Sequence, residues 1–167
     1  MYSSGFDFWY FFVIWLNLDE IDQIGEYHET FLPAISNLLN SGDSVMHYHA
    51  IAALDAIVES LEEKILPYLP SLMGRLISFL ETGERKLKVI VTACIGSAAH
   101  AAGNAFSPYF AEVMVRLSHL MTLGQDKDDL DLRGVATDTA GTVAEAVGKD
   151  LFRVCTLCLI NSLMWKI

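Results

Sequence analysis

Apolar residues recur along this chain at steps of three and four. The pattern is clearest over 65–80, ILPYLPSLMGRLISFL, where Ile65, Leu69, Leu72, Leu76 and Leu80 fall on one face of an amphipathic helix. Pro67 is expected just inside its start, where a missing N–H costs nothing. Gly83 breaks the pattern within the turn ETGERK. The following stretch, 87–102, is apolar on nearly every face and rich in alanine, with Gly96 and Ser97. A helix of that composition is covered on several sides, and its small residues let neighbours approach closely. The two together predict a helical hairpin unable to bury its own surface alone.

The hairpin recurs. Glu62, Gly103 and Gly148 align at offsets of 41 and 45 residues, and Pro67, Pro108 and Arg153 follow each by five. ILPYL at 65–69 matches FSPYF at 106–110, with LFRVC at 151–155 as a decayed copy. CIGSAAHAAG (94–103) matches TAGTVAEAVG (139–148), and LDAIVESLE (54–62) is a looser relative. Two helices per period of this length mark an all-α fold, an α-solenoid of HEAT or armadillo type. The predicted hairpins are 28–61, 65–102 and 105–147, within a repeat region 26–153.

In the first hairpin, Phe31, Ile35, Leu38 and Leu39 supply the buried face of a helix over 28–40, with Pro33 near its start. Ile51, Leu54, Ile57 and Val58 do the same for a helix over 45–61. The third hairpin places a helix over 105–123, an acidic loop at 124–129, and a helix over 130–147. Two ends do not resemble repeats. Residues 1–25 carry the aromatic run FDFWYFFVIWL (6–16), which is too short to span a bilayer and lacks the basic flank of a signal peptide. It is expected to lie over the open end of the solenoid. Residues 154–167 have almost no polar face and are expected either to dock as an apolar helix or to be a non-native tail.

Charge changes the picture more than composition does. The net charge is −10, and residues 1–63 hold eleven acids and no Lys or Arg. Such a surface repels nucleic acid and suits basic partners. Asp126, Asp128, Asp129 and Asp131 fail the calcium-loop pattern, since Leu130 and Asp131 fall where a ligand and a glycine are needed. They read as a solvated acidic loop open to a basic partner. Cys155 and Cys158 form a CxxC without a second ligand pair or a βα context, so neither zinc nor redox chemistry is indicated. With Cys94 they make an odd count, which points to a reducing compartment. His47 and His49 fall on different helix faces, and Arg85, Lys86 and Lys88 crowd a helix start, where the dipole disfavours cations. No nucleophile elbow, phosphate loop or HExxH helix is present. No active site, metal or cofactor is expected.

The succession from ALDAIVESLEEKILPYLPSLMGRLISFLE to VTACIGSAAHAAGNAFSPYFAEVM resembles the importin-β (karyopherin-β) nuclear transport receptors, over about residues 26–153. Its nearest likeness is to the central repeats of the branch that carries ribosomal proteins and histones. The resemblance implies a superhelical receptor whose second helices, here 44–61, 86–102 and 130–147, line a concave side that holds basic cargo. It implies passage through the nuclear pore on Phe-Gly nucleoporins and cargo release by Ran-GTP, hence shuttling between cytoplasm and nucleus, without direct nucleic-acid binding or membrane insertion. Asp55, Glu59, Asp138 and Glu145 become the cargo-side residues, with His100 between the equivalent positions Glu59 and Glu145.

Receptors of this kind are several times longer, their Ran-binding amino-terminal repeats are not recognisable here, and both ends leave the family pattern abruptly. The expectation is a truncated product or an incorrect gene model, with Ran control residing in other parts of a parent receptor. The competing reading is a HEAT scaffold of the phosphatase-regulatory or chromosome-associated kind, without transport activity.

Overall fold

The computed structural model describes residues 28–41, 44–124, 126–150 and 153. The aromatic run at 6–16, Cys155, Cys158 and the tail 154–167 lie outside the described residues. Among the described residues, three helical hairpins follow one another: α1 (His28–Leu39) with α2 (Ser44–Leu61), α3 (Leu69–Thr82) with α4 (Arg85–Ala102), and α5 (Ser107–Met121) with α6 (Lys127–Val147). Single 3-10 turns, Glu62–Ile65 and Gly103–Phe106, link one hairpin to the next. The regular structure among the described residues is helical throughout.

The face expected on the second hairpin is buried as a unit: Ile65, Leu69, Leu72, Leu76 and Leu80 are all at most 4% exposed. On α1, Ile35 and Leu39 are buried, Phe31 and Leu38 are half-buried, and Leu32 is a core residue that the pattern reading passed over. Phe106 and Phe110 are fully buried at the junction into the third hairpin. The helix starts differ from expectation. A continuous helix from Ile65 would need Pro70 to donate an N–H to Leu66, which proline does not have. The chain instead uses shorter i→i−3 bonds, with Tyr68 N–H on Ile65 C=O and Leu69 N–H on Leu66 C=O, and α3 begins at Leu69. It is Pro70, not Pro67, that occupies the first turn, as Pro108 does in α5.

The repeat register read from sequence reappears in the backbone. Glu62, Gly103 and Gly148 have φ of 47°, 51° and 82°, the positive values among the described residues. Each follows the last residue of the second helix of its hairpin, where a residue at positive φ stops the helix and turns the chain. Two of the three are glycine, which takes this conformation freely. Glu62 does not.

A second regularity lies at the other edge of the slab. His47, Lys88 and Arg133 share one repeat position, at the same offsets of 41 and 45 residues. Each side chain meets a carbonyl at the end of the preceding helix: Ser41 O at 2.6 Å, Glu81 O at 3.1 Å and Gly124 O at 3.4 Å. Lys88, near the start of α4, thereby faces the C-terminal end of its hairpin partner, where the dipole favours a cation.

The second helices α2, α4 and α6 lie against one another along their length, whereas α1, α3 and α5 scarcely touch each other. An array tight on one side and open on the other bends toward the tight side. The inner face is thus the α2–α4–α6 layer, and small residues permit its closeness. Gly96 on α4 faces Thr139 on α6, whose side-chain atoms lie 3.5 Å from where a glycine Cβ would stand. The Thr139 hydroxyl donates to the carbonyl of Thr92 at 3.1 Å. Thr92 is itself fully buried and returns its hydroxyl to Lys88 O at 2.6 Å.

Candidate functional site

A groove of about 470 Å³ runs between α4 and α6 on the inner layer. Ala93, Gly96 and Ser97 form its α4 side, and their small side chains keep it shallow and open. Asp138 and Glu145 on α6, both exposed, stand along it, with the exposed His100 opposite. Asp138 and Glu145 are seven residues apart, so they present on nearly one line, about 10 Å apart along the helix axis. Of the side chains expected to face a partner, these two are brought together in one groove.

Asp55 is placed otherwise. It sits half-buried on α2 and accepts a hydrogen bond from Ser97 Oγ at 2.8 Å, which ties α2 to α4. Glu59 lies on α2, and its side chain, like that of Asp128, is outside the described residues. Cys94, three residues before Ser97 on α4, is fully buried. Burial pushes its thiol well above the ordinary range, and the neighbouring Asp55 carboxylate adds to the rise.

The acidic run at 126–131 does not behave as one loop. Asp126 is the N-cap of α6, which begins at Lys127, so Asp128, Asp129 and Asp131 all lie within the helix. Carboxylates in a first turn suit the helix dipole, which is why the helix starts earlier than 130. Asp126 and Asp131 are exposed. Asp129 is 5% exposed and pairs with Arg85 Nη1 at 2.8 Å, joining the starts of α4 and α6. Of the three cations at 85–88, Arg85 meets an acid of the same chain, and Lys88 meets the Glu81 carbonyl. Arg116 makes a comparable bridge on the outer layer, between Glu81 of α3 and Glu112 of its own helix. The Glu112 arm has the i, i+4 spacing of a helix pair, whereas nothing local in the sequence points to Glu81.

Comparison with known proteins gives the groove a context. Residues 18–148 match the family described as importin subunit beta-1-like, TPR repeats. The probable importin subunit beta-4 of Schizosaccharomyces pombe is 37% identical over 141 residues, covering 83% of this chain and 13% of that protein. Importin subunit beta-3 of Saccharomyces cerevisiae is 32% identical over 139 residues, covering 82% and 13%. Among solved structures, the karyopherin Kap121p bound to Pho4p superposes with a TM-score of 0.73 at 27% identity, over 84% of this chain and 14% of that one. Kap121p bound to Nup53p gives 0.72 over the same shares. The chain thus spans about 13% of the length of the curated relatives it matches. With the hairpin register, the inner helix layer and the family match in agreement over the same residues, this chain belongs to the importin-β family.

Proposed function

We propose that this chain is a cargo-holding stretch of a nuclear import receptor, and that the α4–α6 groove takes an extended basic segment. One observation carries the reading: Asp138 and Glu145 line a groove floored by small residues, about 10 Å apart. In an extended polyproline II segment, with three residues per turn and about 3.1 Å per residue, that spacing separates residues i and i+3 on one face. A Lys-x-x-Lys segment lying along α6 sets one ammonium against each carboxylate, and Ala93, Gly96 and Ser97 leave room for its backbone. Lysine-rich ribosomal proteins and histones are the cargo class that fits. The likeness to the beta-3 and beta-4 receptors supports that branch, and a Kap121p complex with Nup53p supports a nucleoporin as a second partner. Passage between cytoplasm and nucleus on Phe-Gly nucleoporins and release by Ran-GTP belong, in this reading, to a longer receptor of which these repeats form one part. The function is binding, not catalysis.

The test is fluorescence anisotropy of the full chain with a labelled histone-tail peptide, at low and high salt. Binding that weakens steeply with salt and is lost in Asp138→Lys/Glu145→Lys supports the groove. Salt-independent binding, or binding indifferent to that pair, overturns it and moves the scaffold reading ahead.

A further inference from the structure

A second hollow, of about 400 Å³, opens at the slab edge between the second and third hairpins. Leucines of α3, α5 and α6 form its apolar walls, and its polar lining is Arg85, Lys88, Arg116, His119, Glu81 and Asp129. Each of the three cations is held by oxygens of the chain. Arg85 lies 2.8 Å from Asp129, Lys88 donates to the Glu81 carbonyl at 3.1 Å, and Arg116 bridges the carboxylates of Glu81 and Glu112. Lys88 and Arg116 thus meet on one residue, through its carbonyl and its carboxylate. Arg85 lies three residues before Lys88, on the same face of α4. These cations keep bonding capacity that the fold leaves unused. Asp129 Oδ1 accepts no aligned hydrogen bond from Arg85, and Arg116 Nε is buried without an acceptor. The hollow one repeat earlier has one lysine and no arginine among its described lining residues, Lys86 beside Glu84.

We infer that this hollow is an anion site for a phosphate monoester, as carried by a phosphoserine or phosphothreonine side chain of a partner protein, with Glu81 as its internal placeholder. The Glu81 carboxylate already shows how an acceptor sits on Arg116. Its side chain is 57% exposed, and a bridge so open to water holds weakly, so Glu81 can turn outward and yield the guanidinium. Asp129, with a side chain 7% exposed, stays in place and balances Arg85. A phosphate monoester brings nearly two charges and three acceptor oxygens at neutral pH, enough to meet Arg116, Lys88 and Arg85 together. A carboxylate brings one charge and two oxygens. Guanidinium forks match phosphate geometry, and leucine walls strengthen each contact by keeping water from its side. The hollow is larger than a phosphate group, and Leu80 and Leu132 leave room for the methylene and backbone of the residue that bears it. The chain as a whole, at net charge −10, repels anions, so binding rests on these local contacts. The site lies apart from the cargo groove and asks for the opposite charge.

The test is an amide NMR titration of the full chain at constant ionic strength with the peptide N-acetyl-Gly-phosphoserine-Gly-amide. Its unphosphorylated form, inorganic phosphate, acetate and ATP are the comparison ligands. The expected result is saturable shifts near Arg85, Lys88 and Arg116 with the phosphopeptide, weaker binding of inorganic phosphate, and none of the unphosphorylated peptide. Lys88→Gln, which keeps a donor for the Glu81 carbonyl, should weaken binding about fivefold or more by removing a charge-assisted contact. Glu81→Gln should tighten it about threefold, because the competing carboxylate is gone. A cluster with only a structural role gives no such gain. Lys149→Gln, exposed and beyond the end of α6, should change neither. Circular dichroism checks the fold, and if Lys88→Gln loses helix content, Glu81→Gln decides alone. A phosphopeptide that shifts nothing overturns the inference, as does an affinity that Glu81→Gln leaves unchanged. Acetate that binds as well as the phosphopeptide overturns it in favour of any anion, and ATP that binds more tightly overturns it in favour of a nucleotide.

Discussion

Ser97 on α4 gives its hydroxyl hydrogen to the carboxylate of Asp55 on α2, 2.8 Å away and 42 residues distant in sequence. This bond converts an acid expected to face a partner into a strut between two repeats. Removing the hydroxyl leaves a half-buried carboxylate with one donor fewer, which costs about 1–2 kcal/mol for a hydrogen bond to a charged group. Ser97→Ala should therefore lower the urea midpoint by a corresponding amount. Helix content should be retained, because the bond joins helices and does not form them. A midpoint equal to that of the parent would show that Asp55 is satisfied without Ser97.

Glu62 offers the opposite sign. A non-glycine residue at φ 47° carries a cost of about 1–2 kcal/mol that glycine avoids. Glycine also enlarges the unfolded ensemble, so the expected net gain of Glu62→Gly is about 0.5–1 kcal/mol. Gly103→Ala should lose a similar amount, since it imposes on the second repeat the strain the first already bears. The pair of urea midpoints, one raised and one lowered, checks the register directly.

That register was legible because a repeat shows itself twice: in apolar periodicity and in the residue that ends each second helix. In the sequence alone, Glu62 aligns with Gly103 and Gly148. The inner layer of small residues was legible for the same reason, since CIGSAAHAAG and TAGTVAEAVG share two glycines and two alanines in register. What sequence did not disclose were pairings between repeats. Nothing local says that Ser97 reaches Asp55, or that Arg85 reaches Asp129, because neither pair has a helical spacing. The candidate groove was half legible: Asp138 and Glu145 were picked out as inner-face acids, but which acids remain open depends on these same long-range bonds. The helix starts at Leu69 and Lys127 were missed because Pro70 and the first-turn acids set them, while periodicity alone drew the boundary elsewhere.

Arg85 and Asp129 make an unequal pair, with side chains 55% and 7% exposed. Removing the arginine leaves a buried carboxylate, while removing the carboxylate leaves an arginine that water still solvates. Arg85→Met should thus destabilise by about 1–3 kcal/mol, below the cost of a fully buried pair because the arginine side is screened. Asp129→Asn should cost less, and the double substitution should recover part of the Arg85→Met loss. A double-mutant cycle by chemical denaturation measures the coupling. Equal losses for the two single variants would show that the pair acts as an exposed one.

Cys94 sets the behaviour of the fold at high pH. Burial first, and then the Asp55 carboxylate, raise its thiol well above the ordinary range, so the native protein keeps it protonated while the unfolded chain ionises near pH 8.5. The unfolded state then binds fewer protons than the native state once pH exceeds that value. The contribution of this group to stability is complete below about pH 8.5 and declines above it, by about 1.4 kcal/mol per pH unit until the native thiol itself titrates. Urea unfolding at pH 8 and pH 10 should show this loss in the parent chain and a smaller one in Cys94→Ala, which has nothing to ionise. The same protonated thiol should resist alkylation in Cys155→Ser/Cys158→Ser under native conditions and react fully in urea, because the thiolate is the nucleophile. Rapid native labelling of that variant would mean that the α2–α4 seam opens far more often than a strut such as Ser97–Asp55 allows.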